Sequence, residues 1–219
     1  PTEVALSGKA WTTRLEVAVN IPALPREQIS DPWAWLTDEA VLSGEEELER
    51  VGRCLDRLYP DDLDRAVGRE REIEELARLL HLPDRRPVLL VGPRQAGKTA
   101  IVHEHVYRQA AQRTGRPAAS SQLWLLAPQR LVSGMAYVGQ WEKRLLAIVE
   151  EAAKRGHVLY FDDLLGLCLA GVTCSSDLSM AQVLKPHLDR RRVRVLAEMT
   201  PEAFRVLKEM DRGFADLFP

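Results

Sequence analysis

The 219-residue chain reads as an α/β protein, a parallel sheet covered by helices on both faces and preceded by a small α+β appendage over residues 1–63. Three observations carry this reading. From Val67 onward, short apolar runs alternate with helical stretches, the pattern of a parallel sheet packed between helices. One apolar run passes into a glycine-bearing loop that ends in Lys98-Thr99 and opens a helix. Another ends in two acids, Asp162-Asp163.

In chain order, residues 13–21 alternate, with Leu15, Val17, Val19 and Ile21 on one face, which predicts a half-buried strand paired with Val4-Ala5-Leu6. Pro22, Pro25 and Pro32 then interrupt regular structure. Trp33 and Trp35 fall in this stretch, either anchoring a small core or offering a docking surface. Ser43-Gly-Glu-Glu46 is a capping-box pattern and opens a helix expected to reach Tyr59, with Leu48, Val51, Leu55 and Leu58 on one stripe. The acidic turn at 60–64 marks the expected boundary with a second domain, 64–219.

Within that domain the expected order is a helix at 70–81, a strand at 87–91 and a helix at 100–111. A strand at 122–127 and a long helix at 140–155 follow. A strand at 158–161 precedes a glycine- and serine-containing loop and a helix over 178–190. A strand at 193–197 and a helix at 201–210 close the series.

Composition excludes several function classes. Hydrophobic residues make up 46% and charged residues 28%, and the net charge of −2 gives no global attraction to nucleic acid or anionic membrane. No apolar run approaches the length of a membrane span, and no signal peptide opens the chain, so a cytoplasmic location is expected. Cys54, Cys168 and Cys174 lack zinc spacing and read as reduced thiols.

The chemistry is concentrated in residues 92–99, G-P-R-Q-A-G-K-T, which fit the phosphate-binding pattern G-x-x-x-x-G-K-[ST] between a strand and a helix. Gly92, Pro93, Arg94, Gln95, Ala96 and Gly97 form the loop whose backbone N–H groups meet phosphate oxygens at a helix N-terminus. Lys98 reaches the β- and γ-phosphates, and Thr99 offers its hydroxyl to Mg²⁺. ATP with Mg²⁺ is therefore the expected cofactor pair. Asp162 is placed as the acid that holds the metal, and Asp163 as the acid that orients the attacking water.

Four stretches together resemble the first ATPase domain of Clp-type AAA+ unfoldases and disaggregases. They are the segment around Val67-Gly68-Arg69, the 92–99 loop, residues 133–142 (S-G-M-A-Y-V-G-Q-W-E) and residues 183–188 (V-L-K-P-H-L). The resemblance covers about residues 64–216. It implies a three-layer αβα P-loop NTPase fold, with Val67 and Gly68 against the adenine and Asp162-Asp163 as the Walker B pair. It implies self-association into a ring that acts on a protein substrate or adaptor, with Tyr137 as the pore-loop aromatic; the residues alone equally allow Tyr137 to pack under its own loop.

The departures from that family bear on catalysis. Asp163 stands where the family has Glu, and its oxygens fall about 1.5 Å short, enough to weaken catalysis. The polar sensor position falls at Met199 or Thr200. Ala215-Asp216-Leu217-Phe218 stands where the family has a paired-arginine finger, with Arg212 nearby; such a finger is worth about 10³–10⁵ in rate in related NTPases. Arg94-Gln95 replaces the usual Pro-Gly, and the fifth strand and helical lid fall outside the chain. Two functions follow: an ATPase that remodels proteins, or a module that binds nucleotide, hydrolyses it poorly and serves as a regulator or adaptor. Nucleic-acid remodelling, resting on the Arg190–Arg194 run, is the weaker third, because basic residues at a helix C-terminus already suit the helix dipole.

Overall fold

The computed structural model describes residues 4–7, 10–13, 43–113, 121–134, 139–172 and 178–218. The chain divides into two compact units, Pro1–Ala40 and Val41–Pro219. In the first, strands β1 (Val4–Ser7) and β2 (Ala10–Thr13) pair antiparallel, with Val4 opposite Thr13 and Ser7 opposite Ala10. Residues 14–21, where the alternating strand is expected, lie outside the described residues, as do Trp33 and Trp35.

The second unit begins with helix α1 (Gly44–Val51). Its capping box is complete: Glu46 N donates to Ser43 Oγ at 3.3 Å, and Ser43 N donates to Glu46 Oε2 at 2.8 Å. The expected continuation to Tyr59 does not occur. Gly52 turns to extended backbone, and strand β3 (Gly52–Cys54) pairs antiparallel with β5 (Leu123–Leu126), Cys54 opposite Trp124. A Cβ on Gly52 would stand 2.7 Å from the Leu48 carbonyl and 3.0 Å from the Trp124 ring, so only glycine permits this approach. Leu48, Val51 and Leu55 are buried as the stripe requires, but they fall in two different helical elements on either side of β3. Residues 43–63 thus fall within the larger compact unit, Val41–Pro219.

Helix α2 (Glu70–His81), strand β4 (Val88–Val91) and helix α3 (Lys98–Arg113) follow, then β5 and the short helix α4 (Pro128–Val132). Helix α5 (Gln140–Arg155) leads to strand β6 (Val158–Phe161) and to a helix the sequence did not suggest, α6 (Leu164–Leu169). Helix α7 (Met180–Asp189), strand β7 (Arg194–Met199) and helices α8 (Pro201–Met210) and α9 (Arg212–Ala215) complete the chain.

The sheet order is β3-β5-β6-β7-β4, parallel except for β3. Alternation along the strands supplies both cores. Leu159, Phe161, Val195 and Ala197 pack on the side of α1, α5 and α7, while Val158, Tyr160 and Leu196 pack on the side of α2 and α3. The three-layer αβα expectation is met.

Candidate functional site

Register brings the strand ends together. Val91 lies opposite Met199, and Phe161 opposite Ala197, so the residues following β4, β6 and β7 emerge side by side at the carboxyl edge of the sheet. Open α/β sheets bind ligands at that edge. Gly92 N donates to Met199 O at 3.1 Å, which fixes the start of the loop to the end of β7.

The 92–99 loop curls through two positive-φ residues, Gln95 at 60° and Gly97 at 82°. Gln95 stands where the resemblance expects glycine. The loop keeps the left-handed conformation with a non-glycine residue there, at a cost of about 1–2 kcal/mol. Lys98 and Thr99 then open α3, whose first turn presents backbone N–H groups with no intrahelical acceptor. The Lys98 ammonium donates to the carbonyls of Gly92 and Pro93, at 3.0 and 2.9 Å, and so arches over its own loop.

The loop borders a cleft of about 500 Å³. Arg94, Gln95, Lys98 and Thr99 line it from the loop, and Asp162, Asp163 and Gly166 from the end of β6 and the start of α6. Glu198, Met199 and Thr200 line it from β7. Partial desolvation, reinforced by the neighbouring Asp163 carboxylate, holds the Asp162 carboxyl above its ordinary range. Asp163 also serves the fold, because its Oδ1 accepts from Gly166 N at 2.8 Å and caps α6. A Cβ on Gly166 would fall 2.3 Å from Asp163 Oδ2, so the cap depends on glycine at that position.

Both sensor alternatives reach the cleft in different ways. Met199 is the last residue of β7 and is buried, whereas Thr200 caps α8, its Oγ1 accepting from Ala203 N at 3.2 Å. Val67 is 91% exposed and Gly68 has φ 72°. The segment that carries them is moored near the loop. Arg69 Nη2 donates to Ala96 O at 3.3 Å, and Arg65 Nε donates to Glu104 Oε2 of α3 at 2.6 Å.

Arg212 is well exposed on α9, and its nearest carboxylate, Asp216, lies 3.8 Å away. Arg191 pairs with Asp84 at 3.2 Å, and Arg194 donates to Leu82 O at 3.4 Å, so part of the basic run serves the fold. Tyr137 lies outside the described residues, as does Cys174. No helix among the described residues is long and apolar enough to cross a membrane.

Sequence reasoning missed Glu198. It is 5% exposed, and burial pushes its carboxyl up. Its Oε2 accepts from Thr99 Oγ1 at 3.1 Å, and its Oε1 accepts from the fully buried Tyr160 hydroxyl. The signal was present in the sequence: an acid that directly continues an apolar strand is too costly to bury without a partner or a role.

The donor set suits Mg²⁺ carried by phosphates. Among the described residues no three His, Cys, Asp or Glu side chains cluster to hold a metal by themselves. Mg²⁺ characteristically takes one or two protein oxygens and completes its shell with phosphate and water, and Thr99 and Asp162 offer such oxygens beside the loop.

The fold and cleft define a nucleoside-triphosphatase type of α/β domain. The AAA ATPase domain family matches residues 65–194, more than half of the chain, and the chain belongs to that family. Within it the similarity is to Clp-type proteins, as the four stretches suggested. Chaperone protein ClpB of Aquifex aeolicus (strain VF5) is 30% identical over 165 residues, 75% of this chain and 16% of that protein. Chaperone protein ClpB of Helicobacter hepaticus is 26% identical over 180 residues, 80% of this chain and 21% of that protein. The S. cerevisiae Hsp104-ADP complex superimposes with a TM-score of 0.63 at 26% identity, over 78% of this chain and 30% of that chain. The S. cerevisiae Hsp104:casein complex in its extended conformation gives 0.66 at 25% identity, over 79% and 30%. The chain thus spans 16–21% of the length of these curated relatives.

Proposed function

We propose that the cleft binds ATP with Mg²⁺ and that the domain couples this binding, and hydrolysis, to the remodelling of protein substrates in a cytoplasmic ring of several copies. The observation that carries the reading is the convergence of Lys98, Thr99 and Asp162 on one cleft at the carboxyl edge of the sheet. The likeness to an Hsp104 complex with ADP and another with casein supports both halves of it.

Each residue has a physical role. The loop amides and the first turn of α3 receive phosphate oxygens. Lys98 exchanges its two carbonyl partners for the β- and γ-phosphates, a stronger charge-assisted interaction. Thr99 and Asp162 hold the metal, and Val67 and Gly68 border the adenine. Bound Mg²⁺ supplies neutralisation of phosphate charge. Asp163 orients water from a position compromised by its shortness and by its bond to Gly166 N.

That bond favours a second reading, in which the domain binds ATP but turns it over slowly and acts as a regulator or adaptor. ATP turnover measured at rising protein concentration separates the two. Turnover that climbs with assembly and vanishes in Lys98→Ala supports an active ring. Tight binding without turnover, even in Asp163→Glu, overturns the active reading and leaves the regulatory one.

A further inference from the structure

Glu198 is an expensive residue to place where it stands. It is buried in the penultimate position of a central strand, beneath the first turn of α3, and both of its oxygens are engaged. Tyr160, from the neighbouring strand β6, clamps one oxygen, and the Thr99 hydroxyl donates to the other. On this core face, shared with Tyr160 and Leu196, the fold itself asks only for one acceptor to the buried Tyr160 hydroxyl, and the second Glu198 oxygen is left for Thr99.

The consequence falls on Thr99. A hydroxyl has one hydrogen to donate and two lone pairs to offer. With the hydrogen committed to Glu198, the lone pairs are presented away from the sheet, toward the cleft that also holds Lys98 and Asp162. Asp162, relieved of accepting that hydrogen, keeps its oxygens for the metal or the metal's water. We propose that Glu198 is the positioning carboxylate of the metal–nucleotide site, orienting Thr99 as a ready-made oxygen ligand while touching neither metal nor phosphate. The inference rests on the ATP·Mg²⁺ reading of the cleft. Partners that orient a metal's ligands typically contribute about 10–100-fold in metal affinity.

The test uses the full chain and a fluorescent ATP analogue, titrated in excess Mg²⁺ and again in EDTA. Wild type is expected to bind more tightly with Mg²⁺, and Glu198→Ala to lose at least about tenfold of that gain. In EDTA the variant binds within about twofold of wild type, or more tightly, because a negative charge has been removed from beside the phosphates. Glu198→Gln retains an oxygen that can accept from Thr99 and is expected to recover most of the Mg²⁺ gain. Because Glu198→Ala strands the buried Tyr160 hydroxyl, the double variant Tyr160→Phe/Glu198→Ala keeps the comparison available in a folded protein, as judged by thermal unfolding. An undiminished Mg²⁺ gain in either alanine variant overturns the inference and leaves ATP binding standing. Wild type that binds the analogue equally in both buffers does the same. Wild type that binds in neither buffer overturns the ATP reading and the inference with it.

Discussion

Arg144 Nε donates to Glu47 Oε2 at 2.8 Å, a salt bridge whose two side chains are 1% and 9% exposed. It joins α5 to α1 across the sheet face, and Arg144 Nη1 also donates to the carbonyls of Leu131 and Ser133, at 2.9 and 3.1 Å. The same guanidinium therefore ties α1 into the larger unit and grips the chain just before the segment that carries Tyr137. Removing one member of a buried ion pair takes the carboxylate partner from a desolvated charge and is strongly destabilising. Glu47→Ala is expected to cost about 3–5 kcal/mol in urea unfolding. A double-mutant cycle with Arg144→Ala should show a coupling of about 0.5–3 kcal/mol, and additive losses would contradict the linkage.

Asp163 and Gly166 make a second pair with a separable role. Asp163→Ala removes the cap of α6 and should cost about 1 kcal/mol, whereas Asp163→Asn, a residue equally suited to capping, should be near neutral. Gly166→Ala forces the carboxylate away and should cost as much as Asp163→Ala. Equal stability in all three variants, by chemical denaturation, would remove the capping assignment.

His105 makes stability pH-dependent. It is 3% exposed, and burial, aided by His81 and Arg113, lowers its pKa to about 4. The unfolded chain takes up the proton near pH 6.5, whereas the folded one resists until about pH 4. The stabilisation tied to the neutral ring is full above pH 6.5 and is lost as pH falls through this window, on the order of 3 kcal/mol. Unfolding midpoints of wild type should drop between pH 6.5 and 4, and His105→Leu should flatten that part of the curve. An unchanged slope in the variant would show that other groups govern it.

Most of the fold was legible because the inner strands are largely buried apolar runs and most helices carry clear apolar stripes. Helices α2, α5 and α8 begin and end where periodicity places them, and α8 has a side-chain cap, Thr200. The failures have a common cause in tertiary contact. Gly52 ends α1 because β3 must reach the sheet edge, a pairing with the distant Leu123–Leu126 strand that no local pattern contains. Helix α6 is short and apolar all round, so it has no stripe to read, and its one signal, the Asp163 cap, reads as catalytic in the sequence.

The candidate site divides in the same way. Lys98, Thr99, Asp162 and Asp163 follow a spacing rule and meet in one cleft. Glu198 follows no such rule. The apolar run of its strand ends at Ala197, and only the packing of α3 over β7 reveals that Glu198 faces Thr99. Gln95 is the converse case, where the backbone keeps the loop's left-handed turn although the side chain does not favour it.

Equilibrium binding of ATP to wild type and Lys98→Ala tests most directly whether residues 92–99 form a working nucleotide grip. The prediction is saturable binding to wild type and a loss of at least about 30-fold in Lys98→Ala, the least expected when one partner of a hydrogen-bonded charge pair is removed. Equal affinity in the two proteins, or no binding to wild type, would contradict it.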